Sequence, residues 1–162
     1  MGETKNAQRQ TRRNLEEKLA LAQPSRALLE QLAVDCASNP SPDNTFQYAF
    51  CLSKSDSESE LRYAITILDS LVKEGYEHQV DCMYGAATAL YLLGDYKSSR
   101  ERCEMILRSK PDSRLAAELH LASIDAAEAE DEAKVKKMAV AGGAASVAVG
   151  IACVAGMLLA KR

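Results

Sequence analysis

From Met138 to Ala160 (MAVAGGAASVAVGIACVAGMLLA) the chain runs for 23 residues without one charged side chain. As a helix, at about 1.5 Å per residue, such a run reaches roughly 34 Å, against a bilayer hydrocarbon core of about 30 Å. Inside lipid every backbone N–H and C=O must be paired within the segment, which leaves a helix as the available form. A buried core helix is the competing reading, but core helices are usually shorter and keep a polar stripe. Lys134, Lys136 and Lys137 precede the run, and only Lys161 and Arg162 follow it. The expectation is a tail anchor over residues 134–162, with the span at 138–160 and everything before residue 134 in the cytosol. Ala144, Ala148, Ala152, Gly156 and Ala160 recur every four residues, and Gly142, Ser146 and Gly150 form a second row. Small-residue faces let membrane helices approach closely, so self-association is one reading. The other is that Gly and Ala keep the span weakly hydrophobic, and spacing alone does not choose between them.

Charge divides at the same place. Residues 1–133 carry 15 Lys/Arg and 23 Asp/Glu, a net of −8, whereas residues 134–162 carry five basic residues and no acids. A basic collar favours anionic membrane surfaces. The acidic remainder argues against nucleic acid, because only Lys5, Arg9, Arg12 and Arg13 cluster there, among polar residues. Residues 1–20 have no apolar signal-peptide core, and Asn6 stands where a myristoylation motif wants Ser or Thr. Cys36, Cys51, Cys82, Cys103 and Cys153 are odd in number and scattered, and read as buried, reduced thiols.

Helical spacing dominates residues 24–133 and strand-like alternation is missing. Residues 1–23 are expected to form an arm, disordered or partly helical, with Leu15 and Leu19 on one side. Helices are predicted over about 25–36, 45–53, 60–73, 78–93, 96–109 and 113–137. Ser38 to Asn44 reads as a loop, and Gly75 and Gly94 as helix ends. The fold class is all-α: a six-helix bundle or superhelix holding two tetratricopeptide-like helix pairs (about 45–73 and 79–109), flanking helices and a C-terminal transmembrane helix.

The pairs rest on a repeat period of roughly 34 residues. In the second pair Met83 takes the bulky opening position, Ala86 and Ala87 the Leu-Gly pair, and Leu90 the tyrosine. Ser99 takes the small position, Cys103 the aromatic four later, and Pro111 the closing proline. Upstream, Thr45, Tyr48, Ala49 and Leu52 keep the same offsets, followed by Ala64, Leu68 and Leu71. Small residues let the paired helices approach, and bulky ones fill the seam. The outward offsets put Phe46, Phe50, Tyr84, Thr88 and Tyr91 on the face that forms the groove in such repeats. An aromatic groove suits a partner's amphipathic helix or extended peptide. The competing reading is that these aromatics pack against the chain's own arm, and the two can hold in turn.

The stretches TFQYAFCL, ITILDSLV and LLGDYKSSRERCEMILRSKPDS, with the Gly/Ala-rich anchor and its basic ends, resemble the mitochondrial fission 1 protein family over residues 24–162. Tyr48, Ala49, Cys51 and Leu52 match that family's first-repeat helix, with Phe50 where an aromatic is usual. Asp95, Tyr96 and Pro111 match the second-repeat turn and end. The resemblance implies the mitochondrial outer membrane, often peroxisomes, and recruitment of a dynamin-like GTPase, directly or through an adaptor protein. The longer N-terminal arm departs from the family pattern.

Two other classes are weighed. A tetratricopeptide receptor for chaperones or imported precursor proteins would need a Lys, Arg and Asn clamp, and the groove offers Phe and Tyr with Lys54 at its edge. An enzyme would have to work with two histidines, His78 and His120. His78 and Cys82 are four apart, but further ligands with metal-site spacing are missing. No Gly-rich phosphate loop occurs, so no cofactor and no metal are expected. The acidic run Glu128 to Glu132 is a solvated juxtamembrane face or a spacer from an anionic bilayer.

Overall fold

Short polar residues cap the starts of several helices of this chain, and glycines follow the ends of two of them. The computed structural model describes the backbone of residues 2–159 and the side chains of residues 4–141. The helices are α1 Gly2–Leu21, α2 Arg26–Ser38, α3 Pro42–Leu52, α4 Glu58–Lys73, α5 Gln79–Leu92, α6 Tyr96–Ser109 and α7 Arg114–Leu159, with no strand among the described residues. Ser25 Oγ accepts from the Leu28 N–H at the head of α2, Ser41 Oγ from Asn44 at α3, and Asp95 from Ser98 at α6. Each cap satisfies an N–H that the helix leaves without a partner. Gly75 and Gly94 have φ of 78° and 79°, a left-handed conformation that other residues adopt at a cost. There the N–H of Tyr76 reaches back to the Leu71 carbonyl and that of Asp95 to Leu90, both at 3.0 Å.

Three differences from the sequence expectation stand out. Residues 2–21 form a 20-residue helix where a disordered or partly helical arm was predicted. Most of a surface helix's stability comes from packing one face, and here Leu15 and Leu19 supply that face. α3 starts at Pro42, inside the predicted loop, because Ser41 caps it and a proline fits the first helical turn. The sixth predicted helix and the predicted span run together as α7.

The chain divides into two units, Met1–Ala127 and Glu128–Arg162. The core of the first passes through successive helices. Leu29, Leu52 and Ala64 join α2, α3 and α4, with Tyr48 and Cys51 against them. Ala49, Leu68, Leu71, Cys82 and Ala86 join α3, α4 and α5. Leu15, Leu19, Ala87, Tyr91, Cys103, Leu119, Ala122 and Ala126 join α1, α5, α6 and α7. Such stepwise sharing is the packing logic of a helical repeat. Ala64, Ala87 and Ser99 are fully buried where helices meet, and the Ser123 hydroxyl lies 3.1 Å from that of Ser99. Leu90 is half-buried and Pro111 exposed. Burial pushes the Cys82 and Cys103 thiols up to about 11 and about 12, which suppresses their reactivity. Cys36 and Cys51 are only half-buried, short of the expected burial.

Polar bridges tie the same helices. Arg102 donates to both oxygens of Asp69 at 2.6 and 2.8 Å, joining α6 to α4. Arg26 donates to Glu60, which also accepts the Ser55 hydroxyl, and together these hold the Glu60 carboxyl below its usual range.

In the second unit Lys134 pairs with Glu130 at 2.8 Å, and Lys136 and Lys137 are exposed. Met138 and Val140 are exposed at the start of the predicted span. Beyond Ala141 that span lies outside the residues whose side chains are described, as do Lys161 and Arg162. Among the described residues no helix is long and apolar enough to cross a membrane.

Candidate functional site

The five predicted groove residues fall into two groups. Phe46 and Phe50 are one helical turn apart on α3, and Tyr84, Thr88 and Tyr91 follow the same face of α5. The α5 group is not open surface. Tyr91 is 5% exposed, sits in the cluster with Leu15 and Leu19, and donates its hydroxyl to Glu16 Oε1 at 2.9 Å. Burial, then the Glu16 carboxylate, pushes the Tyr91 phenol up. Tyr84 is half-buried against that cluster, and Thr88 is buried, donating to the carbonyl of Tyr84. The chain's own first helix therefore covers Tyr91, because two leucines four residues apart present one apolar face to it.

Charge reinforces this docking. Lys18 reaches Glu118 at 2.9 Å, an exposed pair worth roughly 0–1 kcal/mol. Arg12 Nε stands 3.0 Å from Asp125 Oδ2, and Arg9 Nε 3.9 Å from Asp125 Oδ1. The Arg12–Asp125 pair lacks the alignment of a hydrogen bond, so its attraction is coulombic. Asp125 is largely buried, and removing Arg12 would leave its carboxylate without its nearest countercharge. A hollow of about 230 Å³ remains between Leu19 of α1 and Lys54 and Asp56 of the α3–α4 turn.

The α3 group stays accessible. Phe46 and Phe50 are half-buried, with ring centroids 5.2 Å apart. Tyr76 and His78, from the turn after Gly75, extend the wall: Phe46 lies 5.6 Å from Tyr76 and 6.1 Å from His78, the latter stacked. Phe50 rests on Gly85, where a Cβ would stand 3.0 Å from Phe50 Cδ2 and 2.9 Å from Leu68 Cδ1. Lys54 Nζ sits 3.8 Å from the Phe50 ring centroid, and burial lowers its pKa. Together these rings wall a cavity of about 450 Å³ whose rim carries Asp43, Glu77 and Asp81. The Tyr76 hydroxyl donates to Asp43 at 2.7 Å; burial, then that bond, raises the phenol to about 12.

Sequence reasoning did not place Tyr76, His78 and Asp43 beside Phe46. The usable signal was the left-handed glycine at 75, which turns the chain back over α3. Of the His78–Cys82 spacing set aside for want of further ligands, His78 is exposed between carboxylates and Cys82 is fully buried. Among the described residues no group of three or more His, Cys, Asp or Glu could hold a metal ion.

The human mitochondrial fission 1 protein is 30% identical over 126 residues, covering 77% of this chain and 81% of the human one. The chain belongs to the mitochondrial fission 1 protein family. A Debaryomyces hansenii member of the family is 29% identical over 124 residues, 76% of this chain and 77% of its own. No family model matches the chain. Among solved structures, the fission protein Fis1 from Saccharomyces cerevisiae superposes with a TM-score of 0.64 at 21% identity, over 72% of this chain and 95% of that one. A structure of yeast Fis1 in complex with an Mdv1 fragment superposes with the same TM-score at 22% identity, over 70% and 94%. This likeness gives the family fold to the helices described above.

Proposed function

We propose that the chain is a non-enzymatic adaptor of mitochondrial fission, held in the mitochondrial outer membrane by residues 134–162 and facing the cytosol. It recruits a dynamin-like GTPase, or that enzyme's adaptor, through the face formed by α3 and α5. The observation that carries this reading is the open aromatic wall of Phe46 and Phe50 beside a Tyr91 end covered by α1. Yeast Fis1, which shares the fold, forms a complex with an Mdv1 fragment. The acidic rim speaks against a chaperone clamp, which needs basic groups there. Anchoring concentrates whatever binds, so modest affinity suffices once several copies gather. The same reading extends to peroxisomes, and to self-association through the small-residue rows of the span.

Phe50→Ala removes an aromatic anchor and is expected to lower capture of the dynamin-like GTPase or its adaptor by about tenfold, on the scale of interface anchor residues. Co-purification from mitochondria carrying the full-length chain measures this. Capture equal to that of the unaltered chain would remove α3 from the site. For the address, a fluorescent protein fused to residues 134–162 should label mitochondria. Uniform reticular labelling would assign the tail to the endoplasmic reticulum instead.

A further inference from the structure

The cavity between α3 and the α4–α5 turn has a chemistry more specific than an apolar groove. Its wall is aromatic, from Phe46, Phe50, Tyr76 and His78, and its rim is anionic, from Asp43, Glu77 and Asp81. Aromatic faces carry negative quadrupole charge, and cations over them gain about 0.5–2 kcal/mol. The chain itself uses one of these rings in that way, with Lys54 over Phe50. Carboxylates at the mouth add charge-assisted hydrogen bonds, strongest when a planar guanidinium meets them. Asp43 is held in place by the Tyr76 hydroxyl. A second hollow, of about 420 Å³ and also lined by Tyr76, shares Asp43 and Glu77 and adds Glu74, so the anionic rim continues along the surface. Of the three arginines on α1, Arg9 and Arg12 are engaged at Asp125.

We propose that this pocket receives an arginine side chain from a basic segment of a protein partner, its guanidinium lying against the Phe46 and His78 rings and bonding to Asp43 and Asp81. The net charge of −8 over residues 1–133 attracts such a segment before contact. The inference rests on the adaptor reading and names the chemistry of its partner.

The full-length chain in lipid nanodiscs, with labelled phenylalanine and histidine, tests it by nuclear magnetic resonance. Only two Phe and two His are present, so signals from Phe46, Phe50 and His78 separate readily. N-acetyl-arginine amide should move these signals saturably. N-acetyl-citrulline amide, a neutral isostere, should bind roughly five- to tenfold more weakly, as loss of cation–π and ionic contacts requires. Asp43→Asn with Asp81→Asn should remove the preference while keeping the fold, since Asn still accepts from Tyr76. Phe46→Leu should weaken both amides. Equal binding of the two amides, or no movement of these signals, would overturn the pocket. Recruitment is read in parallel. If Phe50→Ala lowers GTPase or adaptor capture but Asp43→Asn/Asp81→Asn does not, the adaptor reading stands and the arginine pocket falls. If neither change alters capture, the recruiting face is wrong and arginine binding alone does not rescue the proposal. Self-association of the chain that vanishes in the Asn variant would make a second copy the occupant, and overturn the partner assignment.

Discussion

Changing Leu15 and Leu19 together to aspartate is expected to release α1 and to raise partner capture by about tenfold to a hundredfold. Both leucines are buried, at 3% and 9% exposure, in the cluster that contains Tyr91. Burying two leucines contributes roughly 3–6 kcal/mol in gross terms, and the entropy of ordering a helix offsets much of it. A net coupling of about 1–3 kcal/mol is the usual scale for such a contact, and it holds the open form to a small fraction. A partner that needs the covered face binds more weakly by that fraction, so freeing the helix restores its affinity. Amide exchange across residues 2–21 should accelerate in the variant, and deletion of residues 1–23 should reproduce the gain in capture. A milder change, Tyr91→Phe, removes only the hydroxyl bond to Glu16, worth about 1 kcal/mol, and should raise capture about fivefold. Glu17, exposed on the same helix, is the control: Glu17→Ala should change nothing. Slow exchange in the double aspartate variant, or capture unchanged in the deletion, would show that α1 does not gate this face.

Leu68→Ala should destabilise the first unit by about 3 kcal/mol, a large share of the roughly 5–15 kcal/mol that holds a domain folded. Leu68 is fully buried between α4 and α5, among Ala49, Leu71, Cys82 and Ala86. Packing there is tight: a methyl group added at Gly85 would meet Leu68 Cδ1 at 2.9 Å. Truncation leaves a cavity that these small neighbours cannot fill, so the lost contacts are not recovered. Leu115, more than half exposed, provides the comparison, and Leu115→Ala should cost about 0.5 kcal/mol or less. Gly85→Ala alone pits better helix propensity against overpacking on Leu68 and Phe50. In the Leu68→Ala background the first obstacle is gone, so the second change should recover stability that it does not add to the unaltered chain. Denaturant unfolding of the four proteins measures the cycle. Strict additivity, or a cost below about 1 kcal/mol for Leu68→Ala, would mean that the α4–α5 contact is looser than described.

Much of the scaffold was legible from residues within a few positions of one another. Asp95 before α6, Gly75 and Gly94 after α4 and α5, and the small residues Ala64, Ala87 and Ser99 each act through neighbours or through one repeating helix face. Caps, left-handed glycines and helical periodicity are local physics, and sequence order contains local physics directly. Where two local signals competed, as at Ser41-Pro42, proline as a helix starter outweighed proline as a loop residue. Phe46 and Phe50 could be put on one face of one helix in the same way.

What lies opposite those residues was decided by contacts between distant parts of the chain. Glu16 meets Tyr91 across 75 positions, Lys18 meets Glu118 across 100, and Asp43 meets Tyr76 across 33. No period or spacing links such pairs. Whether a polar arm with two leucines lies free or docks depends on the surface offered to it once α5, α6 and α7 have packed. By itself the sequence determined the helices from α2 onward, most of their ends, the repeat and the uncharged run after Lys137. Only the tertiary structure decided that Tyr91 is covered, that Phe46 is open, and that its opening is rimmed with acid. Burial is a property of the assembled surface, and it forms when distant residues come together.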